Sequence, residues 1–179
     1  ATTDRDGNYQ VSQLPPGNYT LRAIKEEFKE STANVLMGNR DNTFNVAMEW
    51  DNVLKGGITK DRRLRVEVSP YIIDGNVSIS EGATLIIDPG VVLKFDKDAG
   101  LLVSQTGFLS AVGTERDRII FTSNSAIPAA GDWGGIAIHN KSRIEYCIIE
   151  YADSGVVCFY ETSTPLIAHN IIRFNRQNG

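Results

Sequence analysis

Seven carboxylates, Asp96, Asp98, Asp132, Glu145, Glu150, Asp153 and Glu161, and three cations, Lys94, Arg143 and Arg173, are the side chains here whose types could do chemistry. Two carboxyl groups held roughly 5 to 9 Å apart across a sugar cleave a glycosidic bond, one protonating the leaving oxygen and the other serving as base or nucleophile. An acidic cluster holding calcium beside a basic proton acceptor would support eliminative cleavage instead. Most of the seven fall in turns or on the outward parity of short strands, where charge is the solvated face. No catalytic residue is assigned.

His139 and His169 lack a second His or Cys at metal-ligand spacing. The Asp4-x-Asp6-Gly7 stretch lacks the further acidic positions of a calcium loop and reads as a hairpin turn. Neither a nucleophile elbow, a His-Glu-x-x-His pair nor a phosphate-cradling glycine loop is present. No metal and no cofactor is expected. Cys147 and Cys158 sit among apolar residues and read as free buried thiols, with a disulfide between them as the alternative. Trp133, Tyr146, Tyr151, Phe159 and Tyr160 could offer faces to sugar rings, and Trp133 and Tyr160 are the candidate glycan contacts. Asn18-Tyr19-Thr20, Asn76-Val77-Ser78 and Asn140-Lys141-Ser142 fit the glycosylation pattern.

The elements that would position these residues are short strands. The runs "VSIS", "ATLII", "VVLKF", "RIIFTS" and "GGIAI" are dense in Val, Ile and Phe, and no window sustains a 3.6-residue stripe. Residues 143–151 superpose on residues 166–174 at a spacing of about 23, with apolar positions coinciding. Such a period, punctuated by Gly, Asn, Asp and Ser, marks a solenoid in which each repeat is one turn of chain. The repeat also aligns Glu150 with Arg173, predicting an ion pair between adjacent coils. Ala83, Leu85 and Ile87, then Val91, Leu93 and Phe95, keep one parity through an Asp-Pro-Gly turn, so one row of side chains stays inside.

The 179 residues are 41% hydrophobic with a formal net charge of −4, enough to bury a substantial core in one domain or two. The charge argues against nucleic acid as a partner. The cluster Lys60, Arg62, Arg63 and Arg65 reads as a solvated strand entrance. No apolar run approaches the roughly 20 residues of a membrane span. The start at Ala1-Thr2-Thr3 implies a processed product or an excerpt.

Residues 1–49 carry no echo of the repeat and are punctuated by hairpin chemistry. "DGNY" supplies an Asp-Gly turn, and "LPPGNYTLRA" a Pro-Pro-Gly turn into a strand with Tyr19, Leu21 and Ala23 on one face. Further strands are expected near Asn34–Met37 and Thr43–Met48. The order Thr2-Thr3, Asp6-Gly7-Asn8-Tyr9, Leu14-Pro15-Pro16-Gly17-Asn18-Tyr19 resembles the carboxypeptidase regulatory-like and collagen-adhesin B-type families. That resemblance implies a small antiparallel β-sandwich, here lacking its opening strands, in an extracellular or cell-surface setting.

A linker is expected at 50–58, hinged at Gly56-Gly57, before a second domain at 59–179. There Pro70-Tyr71, Gly82-Ala83-Thr84-Leu85, Pro89-Gly90-Val91, Gly113-Thr114-Glu115, Phe121-Thr122-Ser123 and Asp132-Trp133-x-Gly135-Ile136 resemble the pectate-lyase-like right-handed parallel β-helices. The resemblance implies an all-β column of about five coils. Its Trp133 would pack against the column, which competes with the glycan role.

The sandwich lacking opening strands and the column lacking a cap leave two open edges. Ile171, Ile172 and Phe174 at one, with Tyr9 and Val11 at the other, are the candidate self-association residues. The partner expected is a second copy of the chain, or a continuation of the same polypeptide. The reading is a non-catalytic structural or adhesion protein, with head-to-tail assembly into a filament as one form of it; its alternative is a polysaccharide-binding or polysaccharide-cleaving protein, or a fragment of one.

Overall fold

The computed structural model describes residues 1–38, 42–139, 141–159 and 164–177. The chain divides into two units, Ala1–Asp51 and Asn52–Gly179. Among the described residues the regular structure is all strand, apart from one 3₁₀ turn at Val66–Val68.

In the first unit, β1 (Gly17–Ala23) and β2 (Ser31–Met37) form an antiparallel hairpin in register from Gly17 opposite Met37 to Ala23 opposite Ser31. Strict alternation along β1 half-buries Tyr19, Leu21 and Ala23 on one face, as their parity requires. The Asp4 carboxylate accepts the backbone N–H groups of Asp6 and Asn8, both at 2.9 Å, and closes a turn through Gly7 at φ 85°. Those hydrogen bonds, chiefly from Asn8, hold the Asp4 carboxyl below its ordinary range. Residues 43–48 form no ladder, contrary to expectation, although Phe44, Val46 and Met48 are half-buried between exposed neighbours. The alternation is that of a strand, but among the described residues no strand is paired beside it.

The second unit winds upward in parallel coils. The first coil holds β3 (Val53–Ile58) and β4 (Arg62–Leu64), and the second β5 (Tyr71–Ile79) and β6 (Thr84–Ile87). The third holds β7 (Val92–Phe95), β8 (Gly100–Val103) and β9 (Phe108–Val112). The fourth holds β10 (Ile119–Ser123), β11 (Trp133–Ile138) and β12 (Arg143–Glu145). The fifth holds β13 (Cys147–Glu150), β14 (Ala152–Cys158) and β15 (Leu166–Ala168), and β16 (Ile171–Arg173) enters a sixth. Each strand pairs in parallel with its counterparts in the neighbouring coils. One face stacks β5, β7, β10, β13 and β16; the next stacks β5, β8, β11 and β14; the third stacks β4, β6, β9, β12 and β15. The five strands of that third face match the expected five coils.

The expected linker is not one. Trp50 stacks on Phe28 in the first unit at 4.1 Å, and residues 53–58 are β3, paired to β5 with Leu54 and Ile58 buried. Gly56 stands at φ 70° where the ladder shifts register, so the glycines turn a corner within a strand rather than hinge two domains.

Inside the column the expected row is buried throughout: Ala83 3%, Leu85 0%, Ile87 2%, Val91 0%, Leu93 0% and Phe95 1% exposed. The Asp-Pro-Gly corner between them closes through Val91 N–H to Asp88 O, with Gly90 at φ 81°, a conformation that costs glycine least. At Gly107 the limit is space, since a Cβ there would lie 2.1 Å from Ile79 O on the coil below. On β4, Arg63 pairs with Asp88 at 2.8 Å, so part of the basic cluster ties two coils together.

Candidate functional site

The carboxylates nominated by the sequence are dispersed to separate partners. Glu150, on the outward parity of β13, meets Arg173 at 2.9 Å on β16 and accepts Thr122 Oγ1 at 3.1 Å from β10, linking three coils. Glu145 pairs with Arg143 on its own strand at 2.6 Å, and Asp153 with Arg176 at 2.9 Å. Asp96 accepts Asn124 Nδ2 at 2.7 Å. Asp132 accepts Ser123 Oγ at 2.7 Å and Ala129 N–H at 3.0 Å, and those two bonds hold its carboxyl below the usual range. Asp98 is exposed at a corner with φ 61°. Glu161 lies outside the described residues. Strand register places Lys94 beside Thr122 in the same outward row as Glu150 and Arg173. Among the described residues no group of three or more His, Cys, Asp or Glu is placed to hold a metal ion.

Trp133 is not a glycan contact. Its side chain is 1% exposed, its ring stacks on Phe95 at 3.9 Å, and its Nε1 donates to Glu150 O at 2.9 Å. A large flat ring beginning β11 fills the column interior and finds its one polar partner in the coil above. Tyr160 lies outside the described residues. Cys147 is buried and free, and Cys158 is free but exposed at the end of β14, where the chain leaves the ladder.

Corner geometry repeats along with the strands, a feature sequence reasoning passed over. Tyr146 and Tyr151 flank β13 at φ 52° and 64°, and His169 and Phe174 flank β16 at φ 58° and 55°. The rings pair between coils, Tyr146 with His169 at 4.6 Å and Tyr151 with Phe174 at 5.7 Å. Arg118 sits 5.7 Å over the Tyr146 ring and donates to His169 O at 2.7 Å. Next to those corners, Asn170 and Asn175 replace backbone pairing with their side chains. Asn170 Oδ1 accepts Cys147 N–H and its Nδ2 donates to Ile144 O; Asn175 does the same for Ala152 and Ile149. The signal was available in the spacing, which aligns Tyr146 with His169 and Tyr151 with Phe174.

The candidate association residues separate into two places. Ile167 and Ile172 carry the inward parity of Ile144 and Ile149, which are both 0% exposed, yet they are 37% and 40% exposed. Leu166, Ile171 and Phe174 extend that apolar edge at 46%, 40% and 60%. Tyr9 and Val11 belong to the first unit, where they line a cleft of about 640 Å³ over the half-buried hairpin face. Tyr9 is half-buried there and its hydroxyl donates to Phe44 O at 2.9 Å.

Parallel coils with an inward aliphatic row and outward polar ladders define the class. The chain belongs to the family of the pectate-lyase like β-helix domain, whose model matches residues 56–158. The carboxypeptidase regulatory-like domain matches residues 1–49. The chain is 42% identical over 123 residues to Protein bark beetle of Drosophila melanogaster, covering 68% of this chain and 4% of that protein. It is 45% identical over 47 residues to the TonB-dependent transporter Oar of Myxococcus xanthus, covering 26% of this chain and 4% of the transporter. The chain thus spans 4% of the length of each of these two relatives. No solved structure matches it. The pectate-lyase-like domain points to an adhesion or polysaccharide-related protein, in a family that includes enzymes.

Proposed function

We propose that this chain is a non-catalytic extracellular structural or adhesion module: a rigid β-helix column whose exposed coil edge stacks on a further β-coil. The observation that carries the reading is the use made of the candidate acids. Glu150, Asp153 and Asp96 act as struts between coils, each tied to Arg173, Arg176 or Asn124 of another coil. A carboxylate whose oxygens are engaged by a neighbouring guanidinium or amide is turned to a contact between coils and away from a substrate. Support for the extracellular setting comes from the two domain matches, at residues 1–49 and 56–158.

Support for stacking comes from Ile167 and Ile172. An inward-parity side chain left about two-fifths exposed, on strands paired along one edge among the described residues, has the position that a further coil of the same repeat would cover. A second copy or a continuation of the same polypeptide can supply that coil. Light scattering over a concentration series and electron microscopy of the protein, run beside a panel of polysaccharides, test the reading. Concentration-dependent polymers with every polysaccharide intact support it. Release of reducing ends or unsaturated sugars would replace it with the alternative, a polysaccharide-cleaving β-helix.

A further inference from the structure

The three Asn-x-Ser/Thr sites are not equivalent in the fold. Asn140 lies outside the described residues. Asn76 sits on β5 between β3 and β8, with its Oδ1 3.0 Å from the position a Cβ on Gly100 would take. Asn76 is itself exposed, but its Oδ1 faces Gly100 of the next coil and Ser78, the hydroxyl residue of that site, is half-buried.

Asn18 is placed differently. It is exposed near the start of β1, directly after the Pro-Pro-Gly turn, on the hairpin face opposite to half-buried Tyr19 and Leu21. That outward face consists of Asn18, Thr20 and Arg22 on one strand against Leu36, Asn34 and Thr32 on the other. Thr20 is exposed, and its Oγ1 donates to Asn34 Oδ1 at 3.1 Å, so the hydroxyl two residues after Asn18 stands on the same open surface. Directly across from Asn18 is Leu36, 68% exposed, among the most exposed large apolar side chains of the chain. Residues opposite each other on a hairpin have Cβ atoms about 4.5 to 5.5 Å apart, within reach of the C–H face of a sugar carried on the asparagine amide.

We propose that Asn18 carries an N-linked glycan whose first sugar seats against Leu36. This rests on the extracellular reading, since only a chain that passes through a secretory route meets the transferase. In the transfer, Asn18 Nδ2 attacks the anomeric carbon of an oligosaccharide carried on a polyprenyl pyrophosphate. The N–C bond forms as the C–O bond to the pyrophosphate breaks. The pyrophosphate leaves with the bonding pair, and one amide proton passes to a base on the transferase. The glycan then covers the outward hairpin face and leaves the cleft lined by Tyr9 and Val11 open on the other side.

The test is peptide mass spectrometry of the protein from its native source, with and without a glycan-releasing amidase, beside surface labelling of intact cells. Surface-labelled protein with a glycan on the Asn18 peptide, replaced by Asp after the amidase, is the expected result. The glycan should be lost in Asn18→Gln and kept in Thr20→Ser. Surface-labelled protein with unmodified Asn18 overturns the glycan and leaves the extracellular reading standing. Protein reached by the label only after lysis overturns both.

Discussion

Glu150 and Arg173 stand 23 residues apart in sequence and 2.9 Å apart in space, on consecutive coils at the same register position. Their side chains are 13% and 48% exposed, so solvent screens the arginine side. A double-mutant cycle with Glu150→Gln and Arg173→Gln, followed by urea unfolding, should give a coupling energy of about 0.5–1 kcal/mol. Zero coupling would mean the pair is placed by the ladder without stabilising it.

Trp133 should behave as core. Trp133→Ala removes a ring stacked on Phe95 and a donor to Glu150 O, and is expected to cost about 3–5 kcal/mol in equilibrium unfolding. Trp133→Phe keeps most of the apolar area and should cost less than half as much. Binding of any glycan should follow loss of fold in the alanine variant and be unchanged in the phenylalanine one.

Lysine at Ile171 or Phe174 should disperse polymers without unfolding the monomer. These side chains are already 40% and 60% exposed, so each substitution should move folding stability by only about 0.5 kcal/mol. Unchanged polymer length in sedimentation, with the monomer folded, would remove the coil edge from the assembly contact.

The two cysteines should separate by reactivity. Burial pushes the Cys147 thiol from its ordinary value of 9.0 up to about 12. The folded state therefore holds a proton that the unfolded state releases between those values, and stability falls as pH rises across that window. The slope lost in Cys147→Ala should be at most about 1.4 kcal/mol per pH unit. A thiol reagent at neutral pH should label exposed Cys158 in the native protein and Cys147 only on unfolding.

Much of the column could be read from the sequence because a solenoid repeats its constraints. The spacing of about 23 aligned Glu150 with Arg173, and parity through Asp88-Pro89-Gly90 identified the buried row. What escaped the reading depends on which surface a neighbour covers. Gly56-Gly57 reads as a hinge by composition, yet Leu54 and Ile58 on either side are core residues of β3. Trp133 carries the same letters whether it faces sugar or Phe95. Cys158 is apolar in context, but β14 ends there and its side chain reaches solvent. In the first unit, Thr43–Met48 alternates as a strand should, and pairing depends on a neighbour that no local pattern reveals.

The asparagine bridges at 170 and 175 give the column a property of a different kind. Each spans one coil boundary at a sequence separation of 23, through Cys147 N–H and Ala152 N–H, and each depends only on the coil beneath. Adding or removing a whole coil leaves contacts of this kind intact, and extra residues are taken up between strands, as where Thr122 meets Glu150 and Asp96 meets Asn124 at a separation of 28. Length is therefore quantised in steps of about 4.8 Å, the spacing of neighbouring strands. A β-column of this design works as a ruler, one whose reach is reset in whole coils.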